Sequence, residues 1–331
     1  MRYRILGFVV ETDVVLDLDQ VLEPVLPDVT FQQLTAELRE AVVLFPFHTL
    51  KQTDGSYWQS WSKSEHGYRL QYFDHGIFWI SPDGRHIRGF LYPETPANTF
   101  QHILLDQVLP YAATLRGERV LHAGGFVSDG QAVVFLGEGG QGKSTLTASF
   151  GAVGYPLLAD DSLRLRVGAD AVWGIGSYPG VRLWEDSADS VAPEQPWTPV
   201  AHYTEKRRLS AAPGGVSFYS DPAPIKRLYV LDADTVGSVQ IEPLTANERF
   251  IYLLRHSFRF DITDRQRTQR EFETLTQLAA RLPIYRLRYP RRYDFLPHVR
   301  QAILDHLETH DHDHLDPSRQ SPSTHPLPTD H

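Results

Sequence analysis

The stretch VVFLGEGGQGKSTLTASFGAVGYPLLADD, residues 133–161, decides how the rest of this chain is read. Its apolar opening, Val133 to Leu136, predicts a buried strand, and the residues from Lys143 onward predict a helix. Between them, Gly137-Glu138-Gly139-Gly140-Gln141-Gly142-Lys143-Ser144 satisfies the pattern G-x-x-x-x-G-K-[ST] at every required position. Glycines let the backbone curl so that successive N–H groups face one anion, and the first turn of the following helix adds its positive dipole end. The pattern predicts a nucleotide triphosphate site with Gly137 to Thr145 as the cradle. In it, Lys143 reaches the outer phosphates and the Ser144 hydroxyl coordinates Mg2+.

Downstream, Tyr155-Pro156-Leu157-Leu158-Ala159 predicts a second short strand, and it ends in Asp160-Asp161. Only a short helix and a turn fit between Ser144 and Gly154, so the two strands are expected side by side, with the carboxylates at the phosphates. Phosphoryl transfer to a hydroxyl uses one carboxylate on the metal and gains from a second that accepts the proton, so adjacent aspartates can divide those duties. Upstream, His122 lies in Val120-Leu121-His122-Ala123-Gly124-Gly125. Taken alone, a histidine in such a run reads as a core residue.

His122, the loop Gly137 to Ser144 and the Asp160-Asp161 pair together resemble the catalytic domain of the bacterial HPr serine kinase/phosphorylase family. The resemblance covers about Arg119 to Leu165. It is closest in pattern to the HPr-kinase-like proteins of biosynthetic clusters, including those that phosphorylate a serine of lasso-peptide precursors. Tyr178-Pro179-Gly180-Val181-Arg182-Leu183-Trp184 echoes the P-G-x-x-L-W segment of these relatives. The resemblance implies a mixed-sheet α/β fold of the HPr kinase / PEP carboxykinase-like type. It further implies that Asp161 is the proton acceptor, that Lys143 and Ser144 hold phosphate and Mg2+, and that His122 is an active-site residue near the acidic pair. The sequence departs from the family pattern in two places. Thr145 replaces the usual Glu, and Ala171-Val172-Trp173-Gly174-Ile175-Gly176 lacks the Glu and Arg of E-x-R-G-x-G. The resemblance therefore carries neither a second metal ligand nor phosphorylase activity.

The 331 residues, 41% hydrophobic and 22% charged, exceed one ordinary domain and predict two packed units. Cysteine is absent, which excludes disulfides, thiolate metal sites and cysteine nucleophiles together. A net charge of −9 argues against a nucleic-acid partner. With no long apolar window and no signal-peptide core, the expectation is a cytoplasmic protein without a membrane partner.

Residues 1–116 read as a β-rich N-terminal domain and a candidate for acceptor recognition. Tyr3 to Thr12 predicts one strand, residues 30–41 a helix opened by Thr30, and residues 58–61, 68–72 and 76–81 a meander with turns at Asp54-Gly55, His66-Gly67, Asp74-His75-Gly76 and Pro82-Asp83-Gly84. Trp58, Trp61, Tyr72 and Trp79 read as core packing. Pro96 to Arg116 predicts a helix joining the units. The catalytic domain spans 117–308. Residues 185–224 read as a long loop carrying Glu205-Lys206-Arg207-Arg208, so Lys206 and Arg207, with Arg182, are candidate contacts for phosphate or acceptor. Ile225 to Leu231 predicts a strand, Thr245 and Arg265 open helices, Ile284 to Tyr289 predicts a last strand and Tyr293 to Leu307 a last helix. Arg255 and His256 follow the first of these helices and read chiefly as its capped end. Residues 309–331, rich in His, Asp, Pro and Ser and including His310, His312 and His314, read as a disordered tail.

The reading is an ATP- and Mg2+-dependent kinase of a hydroxyl, foremost a serine of a small protein or precursor peptide. A small-molecule alcohol kinase and a non-catalytic nucleotide-binding regulator are the alternatives, and a homo-oligomer stays open. No L-S-G-G-Q or N-K-x-D sequence occurs, which argues against an ABC-type motor and a GTPase.

Overall fold

The computed structural model describes residues 1–38, 44–52, 54–210, 216–233 and 236–309. Of the tail expected over 309–331, Thr309 ends the last helix, and residues 310–331, with the three alternating histidines, lie outside the described residues. The N-terminal part forms an eight-stranded sheet of β1 (Arg2–Ile5), β2 (Phe8–Thr12), β3 (Val29–Leu34), β4 (Phe45–Lys51), β5 (Tyr57–Ser64), β6 (Gly67–Tyr72), β7 (Gly76–Ile80) and β8 (His86–Leu91). The spatial order is β1-β2-β3-β8-β7-β6-β5-β4. Strands β4 to β8 make the expected antiparallel meander, while β3 runs parallel to both β2 and β8.

Two expectations fail in this sheet. The single strand over Tyr3 to Thr12 is a hairpin, because Leu6 and Gly7 both take left-handed backbone angles, φ 53° and 72°. A Cβ at Gly7 would stand 2.9 Å from Ile175 Cγ2, so the turn also presses against the second half of the chain. The helix expected from Thr30 is instead β3, with Val29 and Phe31 buried and Thr30 between them half-buried. Pairing to strands on both sides satisfies its backbone and overrides the weak helix propensity of TFQQL.

The helix predicted over Pro96 to Arg116 is present as α1 (Ala97–Ile103), one π-helical turn (Leu104–Val108) and α2 (Leu109–Leu115). Its Phe100, Ile103, Leu104 and Val108 join Phe31, Leu70 and Phe78 of the sheet in one core, which also takes in Val120, Tyr178 and Phe260 from the rest of the chain. Trp61, Tyr72 and Trp79 are buried as expected, but Trp58 is only half-buried.

The second half continues with β9 (Arg119–Leu121), β10 (Gly124–Ser128), β11 (Gln131–Leu136), α3 (Lys143–Gly151), β12 (Leu157–Ala159), β13 (Leu163–Val167) and β14 (Val172–Gly176). Residues 185–224, expected as loop, carry regular structure: after β15 (Gly180–Leu183) come α4 (Glu185–Val191), β16 (Thr198–Pro199) and β17 (Arg207–Ser210). These three strands form a small sheet in the order β15-β17-β16. Then follow β18 (Ala223–Leu231), β19 (Gln240–Pro243), α5 (Ala246–Arg255), α6 (Arg265–Arg281), β20 (Ile284–Arg288) and α7 (Leu296–Thr309). Thr245 caps α5 through a reciprocal capping box with Glu248, as its sequence position suggests.

Strand β18 organises the nine-stranded second sheet. Its first residues pair antiparallel with β14, and further along it runs parallel to β11 and to β20. β11 and β12 are not neighbours as expected; β10 lies between them, antiparallel to both. The two strands still point the same way, so the loop after β11 and the aspartates after β12 leave the sheet at one edge. Among the described residues no helix is long and apolar enough to cross a membrane.

Candidate active site

The parallel strands β11, β18 and β20 end along one edge, and a cleft of about 1120 Å3 opens there. Ligand crevices form at such carboxyl edges because the loops leaving parallel strands converge there. The loop after β11 contributes Gly139 to Thr145, the turn after β18 contributes Ala233, and the segment after β20 contributes Tyr289, Arg291 and Arg292. His122, Asp161, Arg182 and Lys206 complete the inner wall.

Gly142, just before helix α3, adopts φ 82° and gives the helix no side-chain cap. Its first-turn N–H groups therefore lack the usual side-chain acceptor and present their dipole end to the cleft. A Cβ at Gly142 would stand 3.2 Å from the Arg291 guanidinium, so glycine meets both the backbone angle and the crowding. Arg291 also donates to the carbonyls of Gln141 and Asp232, tying the loop to the ends of β18 and β20. Lys143 is 6% exposed, and its ammonium donates to the carbonyls of Gly137 at 2.6 Å and Glu138 at 3.2 Å. Burial pushes its pKa down to about 8, partly offset by the charge of Asp160. Ser144 lines the cleft, while the Thr145 hydroxyl turns to Ser187 of α4 at 3.3 Å.

Both aspartates are buried. Asp160 accepts the Arg182 backbone N–H at 2.8 Å on Oδ2, and its Oδ1 has no hydrogen-bond partner among the described residues. Asp161 has a left-handed backbone, φ 68°, an angle that few non-glycine residues take and that recurs at functional sites. Its carboxylate pairs with the Arg182 guanidinium and lies 3.6 Å from His122 Nε2. The His122 backbone N–H donates to the His256 carbonyl at 2.6 Å, and His122 Nδ1 donates to the Asp161 carbonyl at 3.0 Å. That bond leaves Nε2 as the lone-pair nitrogen facing the cleft. Although 40% of the His122 side chain is exposed, burial of the ring among Lys143 and Arg182 pushes its pKa down to about 3, so the imidazole is neutral.

Arg182, buried on β15, is the hub. Besides Asp161 it meets Asp106 at 2.7 Å and His102 Nδ1 at 2.6 Å. Asp106 sits on the π-helical turn and also accepts from Tyr178 at 2.8 Å, with Arg208 3.7 Å away. Burial alone would raise the Asp106 carboxyl, yet Arg182, His102 and Arg208 together hold it well below the ordinary carboxylate range. Lys206 projects over the Trp184 ring at 5.4 Å, and burial, then Arg182, lowers its pKa. Arg207 goes elsewhere, pairing with Glu185 and Asp189 of α4, and does not line the cleft.

The structure thus brings Gly139 to Thr145, Lys143, His122, Asp161, Arg182 and Lys206 to one cavity, with Asp160 just behind its wall. Gly137 and Glu138 belong to the same loop and hold the Lys143 ammonium. Sequence reading missed Arg291 and Asp106. The first had a signal, since Pro290-Arg291-Arg292 follows directly on the predicted last strand. Asp106 had none, being one of several polar residues scattered along that helical stretch, with nothing local to mark it from Gln101 or Gln107.

Among the described residues no group of three or more His, Asp or Glu is placed to hold a metal. Mg2+ bound with phosphates needs fewer protein ligands, one or two oxygens with water completing the shell. The unpartnered Asp160 Oδ1 and the Ser144 hydroxyl are hard donors of that kind, so the residues fit Mg2+.

Fold and site define a mixed α/β protein with a glycine-rich loop, a helix N-terminus and an acidic pair at one sheet edge. No protein-family model matches the sequence, and no curated protein matches it. Among solved structures, the chain is similar to the Hpr(Ser) kinase/phosphatase from Coxiella burnetii at 11% identity, over 56% of this chain and 97% of that one, with a TM-score of 0.31.

Proposed function

We propose that this protein is an ATP- and Mg2+-dependent kinase that phosphorylates a hydroxyl, foremost a serine on a small protein or precursor peptide. The observation that carries the reading is the single cleft that joins Lys143 and the uncapped start of α3 to Asp161, His122 and Arg182. In this reading Gly137 to Ser144 bind the triphosphate, and Lys143 exchanges the Gly137 and Glu138 carbonyls for phosphate oxygens. Ser144 and Asp160 hold Mg2+, which neutralises charge on the outer phosphates when bound. Asp161 takes the hydroxyl proton while the acceptor oxygen bonds to the γ phosphorus. The bond from phosphorus to the bridging oxygen breaks, and ADP departs with its electron pair. Neutral His122 holds Asp161 through its backbone carbonyl, and Arg182 and Lys206 set positive charge beside the group in transfer. Arg207, occupied by two carboxylates, takes no part.

A second reading, a nucleotide-binding regulator without transfer, draws on the Asp161–Arg182 ion pair, which occupies the proton acceptor. Single-turnover phosphorylation of candidate serine peptides separates the two. Asp161→Asn is expected to slow transfer by about 10² to 10⁴ while ATP binding stays near normal. Asp160→Asn is expected to weaken Mg2+ dependence and nucleotide affinity together. A wild-type melt unshifted by millimolar ATP with Mg2+ would falsify the nucleotide site itself, since a ligand at a hundredfold its Kd adds about 2.7 kcal/mol.

A further inference from the structure

A second cavity of about 520 Å3 lies where the N-terminal sheet meets the segment that carries Lys206. Its walls are aromatic. Trp58 stands edge-on to His75, with ring centroids 5.3 Å apart at 75°, and to Tyr203, 5.0 Å apart at 73°. His75 and Tyr203 stack at 5.3 Å, and His202 closes a side 5.1 Å from His75. Asp74 and Gln52 complete the lining, both exposed at the rim.

His75 is the telling residue. It is 2% exposed, and beyond a loose contact with the Asp74 backbone neither ring nitrogen has a hydrogen-bond partner among the described residues. A buried polar ring left unsatisfied costs about 1 to 3 kcal/mol, so a site that tolerates it points to a partner from outside. Burial, then His202, lowers the His75 pKa, so the ring is neutral and offers one lone pair and one N–H. Aromatic faces at right angles, a lone pair and a carboxylate at the rim are all electron-rich, which is the complement of a cation.

We propose that Trp58, His75 and Tyr203, with Asp74 at the rim, form a subsite for a basic side chain, arginine or lysine, of the acceptor polypeptide. The assignment rests on the kinase reading for the word acceptor, and the cage itself does not. The His75 lone pair receives an N–H of the cation, while its own N–H turns to the Asp74 backbone. Tyr203 precedes Lys206 by three residues, a reach of at most roughly 10 Å along the chain. A polypeptide crossing the cleft therefore meets the cage within a few residues of its hydroxyl. On the inner side His102 lies 6.0 Å from the Tyr203 ring and contacts Arg182, which pairs with Asp161.

The test uses the full chain without nucleotide and two capped glycine-serine peptides that differ only in a central arginine or its neutral isostere citrulline. Calorimetric titration is expected to give about tenfold tighter binding for the arginine peptide. Asp74→Asn should erase that preference, and His75→Ala should weaken both peptides, each variant keeping the wild-type ATP-induced melting shift. Because His75 is buried, Asp74→Asn at the exposed rim carries the test if His75→Ala folds poorly. Equal affinity for the two peptides, no binding of the arginine peptide at millimolar concentration, or an unaltered preference in Asp74→Asn overturns the subsite. A missing ATP shift in the wild type overturns the kinase reading instead and leaves the peptide comparison to be judged on its own.

Discussion

Lys143 shows how one residue can be tuned against its own fold. Its pKa of about 8 lies below the ordinary 10.5 because the amine is buried. Between those values the unfolded chain binds more protons than the folded one, so stability rises with pH across the window, and below about pH 8 the full cost of the buried charge is present. Lys143→Met removes this titration. The difference in unfolding free energy between wild type and Lys143→Met should therefore move in favour of the wild type by on the order of 3 kcal/mol from about pH 8 to about pH 10.5. Denaturant melts of the nucleotide-free proteins across that range check it, and a constant difference contradicts it. Lys143 and Ser144 were legible in the sequence because the loop pattern fixes their spacing to the backbone that cradles them. Arg182 was legible only as a candidate. Its partners Asp106 and His102 lie far away in sequence, and side-chain pairing over that distance leaves no local period to read.

The element that best separates pattern from placement is the helical stretch Ala97 to Leu115. Its apolar spacing revealed the helix, whereas the π-helical turn at Leu104–Val108 did not show in the sequence, since nothing in LLDQV distinguishes it from ordinary helix. π-Helical turns cluster at functional sites, and this one carries Asp106 among the core residues Leu104, Leu105 and Val108, facing Arg182. Asp106→Asn keeps the volume but leaves Arg182 and Arg208 short of a buried counter-charge. Breaking such a pair costs about 3 to 5 kcal/mol, so urea unfolding should show a loss near the lower end, the amide still accepting hydrogen bonds. An unchanged midpoint would count against Asp106 as the anchor. β3 is the converse case: propensity suggested helix at Thr30, and only the flanking strands β2 and β8, invisible to local reading, make it a strand.

At the scale of the whole molecule, the boundary drawn at residue 116 divides the two sheets but not the packing. Val120, Tyr178 and Phe260 belong to the same core as the N-terminal sheet, and Tyr68 and Lys63 both bond Asp261 across the boundary, at 2.9 and 2.7 Å. A fragment of residues 117–309 would expose those side chains and leave Arg182 without Asp106. Expressed alone, it should lack a cooperative thermal transition by circular dichroism, while the intact chain shows one; a sharp melt of the fragment contradicts this. The placement of β18 has another consequence. It must pair with β11 across about ninety residues of intervening chain, as Ala132 against Ile225 shows, and such closures form slowly. On the ribosome, strands β4 to β8 can zip up hairpin by hairpin as they emerge, but the glycine-rich loop gains its floor only after Leu231 and Arg288 have been synthesised. The cleft therefore cannot close before the chain has been made at least as far as Leu296, and until then the glycine-rich loop stands without the strands that carry it.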